Sequence, residues 1–193
     1  MGRLGFYFDQ TSCTGCRTCQ IACCDKNNLD ASVTFRLVRD YETGEYPKGG
    51  YYHLSMACNH CMDPACVRIC PTGATFKVKD GTVQHDDELC INCGACSEEC
   101  PYGAPQLIYG LGVRHKCDSC KVLRDIGEQP ACVAACLMRC LEFGDLDELR
   151  ERHKNEELVQ ELPCMPSASI TKPSLLIHPK AAAKEMEYTQ IRI

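Results

Sequence analysis

Cysteine recurs along this chain at fixed steps, and any fold must satisfy those steps first. Cys13, Cys16, Cys19 and Cys23, in "CTGCRTCQIAC", have the spacing C-x2-C-x2-C-x3-C, which returns at Cys90, Cys93, Cys96 and Cys100 in "CINCGACSEEC". Two looser copies complete the set: Cys58, Cys61, Cys66 and Cys70 in "CNHCMDPACVRIC", and Cys117, Cys120, Cys132 and Cys136 in "CDSCKVLRDIGEQPACVAAC". Sixteen of the nineteen cysteines are thereby used. Every copy closes on the same C-x3-C step, so the repeat is one of chemistry as well as architecture.

Nineteen cysteines in 193 residues is a density met in short disulfide-stapled secreted chains. The odd count, the length, and an N-terminal "MGRLGFYFDQTSC" without the basic start and apolar core of a signal peptide point instead to thiols kept for metal. A C-x2-C-x2-C loop wraps three thiolates round one face of a cubane 4Fe-4S cluster. Its small and polar residues (Thr14 and Gly15; Asn92, Gly94 and Ala95) let backbone N–H groups turn towards the cluster sulfurs. The fourth cysteine lies on a short helix pointing away and ligates the other cluster of a pair, the arrangement of two-cluster bacterial ferredoxins. Pro71 and Pro101 complete the C-P ending of that signature. Paired C-x2-C knuckles also hold structural zinc, and the copy at 117–136 alone fits either metal. Four copies, two at the tight spacing, favour iron–sulfur. Cys24, Cys140 and Cys164 fall outside every copy and read as small buried apolar side chains.

Between Cys70 and Cys90 the alternating residues flank Asp80-Gly81, a two-residue hairpin signal, which joins copies two and three as in a small ferredoxin. Copies one and four then pair across this insert. The fourth-cysteine swap gives clusters held by Cys13, Cys16, Cys19 and Cys136; by Cys117, Cys120, Cys132 and Cys23; by Cys58, Cys61, Cys66 and Cys100; and by Cys90, Cys93, Cys96 and Cys70. The fold class expected is α+β: two interleaved bacterial ferredoxin-like modules, each binding two 4Fe-4S clusters, with a C-terminal helix and extended tail. Residues 1–50 and 102–144 form the outer module, 51–101 the inserted one, and 145–193 the helix and a tail that docks on a partner. Strands are expected at "LGFYF", "VTFRLV", "YYHLSM", "QLIYG" and "SLLIH". One long helix starts near Asp145, carries a Glu148/Arg152 pair, and ends before Pro163.

Several functions are disfavoured. No run approaches the roughly 20 apolar residues that cross a bilayer, so a membrane role comes through a partner. The net charge of -5, before any thiolate is counted, argues against nucleic acid. Neither G-x-G-x-x-G nor G-x-x-x-x-G-K-[ST] occurs, and nothing pairs a nucleophile with a base. His60 and His115 adjoin cluster loops but read as ordinary polar residues, since every ligand place is filled by cysteine. What remains is electron transfer by a subunit with no catalytic site of its own.

The segments "CNHCMDPACVRICPTGATFK", "DGTVQHDDELCINCGACSEECPYGAPQ", "KCDSC…GEQPACVAAC", "LEFGDLDELR" and "ITKPSLLIHP" resemble the iron–sulfur electron-transfer subunit of the anaerobic dimethyl sulfoxide reductase family. That resemblance implies a molybdopterin catalytic subunit on one side and a quinol-oxidising membrane anchor on the other. It also implies a relay running from the Cys90 cluster, nearest the quinol site, through those of Cys58 and Cys117 to that of Cys13, nearest molybdenum. Relatives of nitrate reductase type carry an aromatic residue where Cys93 stands, so the resemblance here implies a full set of 4Fe-4S clusters. Leu137, in place of proline, and Cys24 and Cys140 depart from the family pattern. The subunit is expected at the cytoplasmic membrane through its partners, on either face. The alternatives are a hub subunit of a formate dehydrogenase or hydrogenase, and a zinc-stabilised interaction module.

Overall fold

A computed structural model describes residues 2–191. Strand β1 (Leu4–Asp9) organises the molecule because its apolar run is buried on both faces. Phe6 and Phe8 point into the main core among the thiols, while Tyr7 joins Leu146, Leu149 and Leu176 on the other side. This is the period-two alternation of a strand carrying different cargo on each face. Two strands flank it, β8 (Leu141–Asp145) antiparallel and β9 (Leu175–His178) parallel. A second sheet has the order β10 (Tyr188–Ile191), β2 (Leu37–Thr43), β3 (Gly50–Met56), all antiparallel. Two hairpins complete the strands: β4 (Thr75–Lys77) with β5 (Val83–His85), and β6 (Gln106–Ile108) with β7 (Val113–His115).

The helices are short, and all but the last carry or directly follow a repeat cysteine. Helix α1 (Thr18–Lys26) packs on α5 (Ala131–Ala134), and α2 (Ala65–Ile69) on α3 (Ala95–Glu98). Pro64 and Pro130 start α2 and α5 from extended backbone. Helix α4 (Lys121–Asp125) follows Cys120, and α6 (Leu146–Arg152) covers the Tyr7 face of the first sheet. These mixed short elements make the fold α+β. No described helix is long and apolar enough to cross a membrane.

"LGFYF", "YYHLSM" and "SLLIH" become β1, β3 and β9, and "QLIYG" starts β6. "VTFRLV" is displaced: regular pairing begins only at Leu37. The Gln106 side chain takes both main-chain groups of Thr34, accepting from its N–H at 3.1 Å and donating to its carbonyl at 2.7 Å, which replaces a strand neighbour. The Asp80-Gly81 hairpin forms with a longer turn, residues 78–82, than the two residues expected. Asp80 Oδ1 accepts from the Thr82 N–H and hydroxyl, and the Asp80 carbonyl accepts from Leu4 N–H at 3.0 Å, tying the turn to β1.

Two expectations at the C-terminal end are corrected. Helix α6 starts as foreseen, with Asp145 accepting from the N–H groups of Asp147 and Glu148, but spans only Leu146–Arg152 and is not the long helix expected. His153 stacks on Tyr7 at 3.7 Å and 8° and bonds Glu142 at 2.9 Å and Glu156 at 3.0 Å, which turns the chain away. Val159 then bridges to Ile177. Arg152 pairs with Glu142, not with Glu148. The segment beyond 163 is likewise no appendage lacking its own core: Leu175, Leu176 and Ile177 are among the most buried side chains, and β10 extends the second sheet.

Candidate metal centres

Three cavities of similar size open among the cysteines. The first, about 330 Å³, is lined by Cys13, Cys16, Cys19 and Cys136 together with Cys140, Phe8, Val38 and Ser55. Cys58, Cys61, Cys66 and Cys100 line the second, about 360 Å³, with Lys116, Tyr102 and Thr171. The third, about 300 Å³, is lined by Cys70, Cys90, Cys93 and Cys96, with His85 and Arg114. In each, three thiols come from one copy and the fourth from another. The remaining four, Cys23, Cys117, Cys120 and Cys132, are all buried. Cys23, Cys117 and Cys132 lie in one buried cluster, with Cys23 on α1 and Cys132 on α5, which pack together.

The backbone repeats as well. The residue just before the second cysteine of each copy has positive φ: Gly15 (67°), His60 (42°), Asn92 (52°) and Ser119 (58°). This left-handed step turns N–H groups inwards. Ser119 N–H points at Cys117 Sγ at 3.3 Å, and Ala104 N–H at Cys100 Sγ at 3.4 Å. Glycine fits that conformation without cost. His60 and Ser119 hold it through their surroundings: His60 is wholly buried, its Nδ1 accepting from Val83 N–H at 3.0 Å and its carbonyl from the Ser174 hydroxyl at 2.7 Å. Burial, with Lys116 and Arg124 nearby, lowers its pKa well below 6.5 and keeps it neutral. His115 is half-buried on β7, its Nε2 3.6 Å from Asp87.

The thiols fall into two electrostatic kinds. Burial pushes Cys23 and Cys66 up to about 12 and Cys61 up to about 11, so these thiols release their protons to solvent only when a metal takes the sulfur. Cys16 and Cys70, at the rims, are lowered instead. The Thr18 hydroxyl stabilises the Cys16 thiolate, and at Cys70 hydrogen bonds from Thr75 and Thr72 outweigh desolvation. Cys140, outside every repeat, lies in the first cavity with its Sγ 3.5 Å from that of Cys136, and its neighbouring thiol lowers the pKa of Cys13. A fifth thiol at this cavity escapes a reading built on repeat spacing, although Cys140 follows Cys136 by only four residues. Cys24 and Cys164 are each only half-buried, so neither is a plain buried apolar residue.

Four sulfur donors per site, apolar walls and inward N–H groups suit a 4Fe-4S cluster. The sequence fits in the same way: residues 50–146 match a 4Fe-4S dicluster domain family and residues 10–31 a 4Fe-4S binding domain. The fold and its thiols therefore define a ferredoxin-like 4Fe-4S electron-transfer protein. More narrowly, the chain belongs to the family of iron–sulfur subunits of anaerobic dimethyl sulfoxide reductases. It is 42% identical, over 93% of its length and 90% of the relative's, to the B subunit of the anaerobic dimethyl sulfoxide reductase of Escherichia coli K12. The corresponding B subunit of Haemophilus influenzae is 40% identical over 95% and 93% of the two lengths. Protein NrfC of E. coli K12 is a further relative, 35% identical over 90% of this chain and 79% of its own.

Proposed function

We propose that the chain holds four 4Fe-4S clusters and relays electrons between a quinol-oxidising membrane anchor and a molybdopterin catalytic subunit. The ligand sets are Cys13, Cys16, Cys19 and Cys136; Cys117, Cys120, Cys132 and Cys23; Cys58, Cys61, Cys66 and Cys100; and Cys90, Cys93, Cys96 and Cys70. The observation that carries this reading is that each of three cavities gathers three thiols of one copy and one of another. Copies one and four thus form an outer module, residues 1–50 and 102–144, round an inserted one, residues 51–101. The chain sits at the cytoplasmic membrane through its partners.

When bound, each cluster takes up and gives back one electron without bond breaking at the protein. Two features support the order: Cys19, Cys117, Cys132 and Cys58 lie in one buried cluster, and the swap of Cys70 and Cys100 joins the Cys58 and Cys90 sets. Cys16 and Cys93 are the exposed thiols, one in each terminal set. Apolar side chains stand open beside them, Leu137 (71% exposed) after Cys136 and Ile91 (65%) before Cys93, which suits contact with a protein at each end of the relay. The test is a pair of variants. Cys16→Ser and Cys23→Ser should alter two different paramagnetic signals in the reduced chain. Both altering one and the same signal would mean that each copy binds its own cluster.

A further inference from the structure

Arg36 is 2% exposed and has no acidic partner among the described residues. Its Nη1 donates to the Ser55 hydroxyl at 3.1 Å and to the Ser55 carbonyl at 3.3 Å, whereas Nε and Nη2 are buried without an acceptor. The guanidinium lies 4.6 Å over the Phe6 ring. An arginine buried in this way is costly unless a negative charge compensates it. The groups that favour its charged form most are Cys132, Cys19, Cys117 and Cys23, in that order. These belong to two different thiol sets, and all four lie in one buried cluster with Phe6, the ring beneath the Arg36 guanidinium. Ser55 extends the reach of the charge. Its Oγ accepts from Arg36 and lies 3.4 Å from Cys19 Sγ. With that sulfur a thiolate, the serine hydroxyl must be the donor.

We propose that Arg36 is the shared counter-cation of the centres formed by the Cys13 and Cys117 sets, and that it raises the reduction potential of both. The inference rests on the ligand sets proposed above. Four thiolates leave a 4Fe-4S centre with net negative charge, and the one electron added on reduction increases it, so a fixed cation favours the reduced form. No proton need accompany that electron, because an arginine keeps its charge throughout. Nε and Nη2 have no acceptor among the described residues, cysteine sulfurs included, so both would be free to donate to the sulfurs of a bound cluster. Two neighbouring centres held by one cation are also spared part of their mutual repulsion, which smooths the step between them.

The test is redox titration, followed by electron paramagnetic resonance, of the anaerobically purified full chain carrying Arg36→Met, Arg36→Lys or Ser55→Ala. Arg36→Met should disfavour reduction of both centres at least about tenfold, which is about 59 mV for one electron. The Cys58 and Cys90 centres should keep their potentials, and Arg36→Lys should restore most of the shift. Ser55→Ala should lower the Cys19-bearing centre more than its neighbour. An Arg36→Met chain with unchanged iron in which neither potential moves, or all four move alike, overturns the proposal. If that variant loses iron, Ser55→Ala decides, and an unmoved Cys19-bearing centre is then the contrary result. A failure of the ligand sets themselves is distinct: Cys19→Ser and Cys132→Ser would then disturb the same signal in the otherwise unaltered chain.

Discussion

Gly15 carries the least replaceable backbone of the first site. Its φ of 67° is left-handed, and an added Cβ would stand 2.2 Å from the ring of His53, which Asp40 holds at 2.6 Å and which cannot swing freely. Gly15→Ala should therefore lower stability by about 1–3 kcal/mol and weaken the signal of the Cys13 centre while sparing the others, as read by thermal unfolding and paramagnetic resonance. An alanine variant with all four signals and unchanged unfolding would contradict this. Cys140→Ala should keep its full iron content, because Cys136 already closes the C-x3-C step and Cys140 lies outside every repeat; loss of iron would make Cys140 a ligand. At this scale the sequence was most informative. Thiols for a cluster must recur at fixed steps, and those steps survive in any reading of the chain. Arg36, Ser55 and the left-handed His60 were illegible, since nothing local distinguishes an arginine destined for the core, and histidine and serine hold positive φ only through contacts made from remote segments.

Strand β9 and the loop before it turn the C-terminal segment into part of the iron–sulfur core. The Ser174 N–H donates to the Asn59 carbonyl at 2.8 Å, Met62 N–H to the Lys172 carbonyl at 2.8 Å and Asp63 N–H to the Thr171 carbonyl at 3.0 Å, so residues 171–174 brace the loop carrying Cys58 and Cys61. Thr171 itself lines the second cavity. Truncation after residue 162 should then cost the Cys58 centre and the fold with it, whereas a folded truncated chain that keeps that centre's signal would contradict this. Ile177, 0% exposed, gives a milder probe: Ile177→Ala should lower stability by about 2–5 kcal/mol in denaturant unfolding. A loss under about 0.5 kcal/mol would mean that β9 is peripheral. Local sequence could identify "SLLIH" as a strand but not its partner, because parallel pairing with β1 joins residues some 170 positions apart. The end of α6 was hidden for the same reason: helix-compatible residues continue past Arg152, and the stop is imposed by the stacking of His153 on Tyr7 from β1.

For the whole molecule, the claim is a wire of four centres whose terminal members open to partners. Cys93 is exposed in the third cavity, at the end proposed to receive electrons from quinol. A serine there replaces a soft ligand by a hard one, shifting the potential or converting the cluster. Quinol-driven turnover of the assembled complex should fall sharply with Cys93→Ser, while turnover with a small donor that reduces the catalytic subunit directly should persist; loss of both, or of neither, would contradict the relay order. All of this depends on how much metal the thiols hold, and that can be measured without any partner. Iron, acid-labile sulfide and zinc should be determined in the full chain purified without air. The account predicts about sixteen irons and about sixteen sulfides per chain, four of each at every site, with negligible zinc. Stoichiometric zinc with little sulfide, or only about eight irons in a fully folded chain, would contradict it.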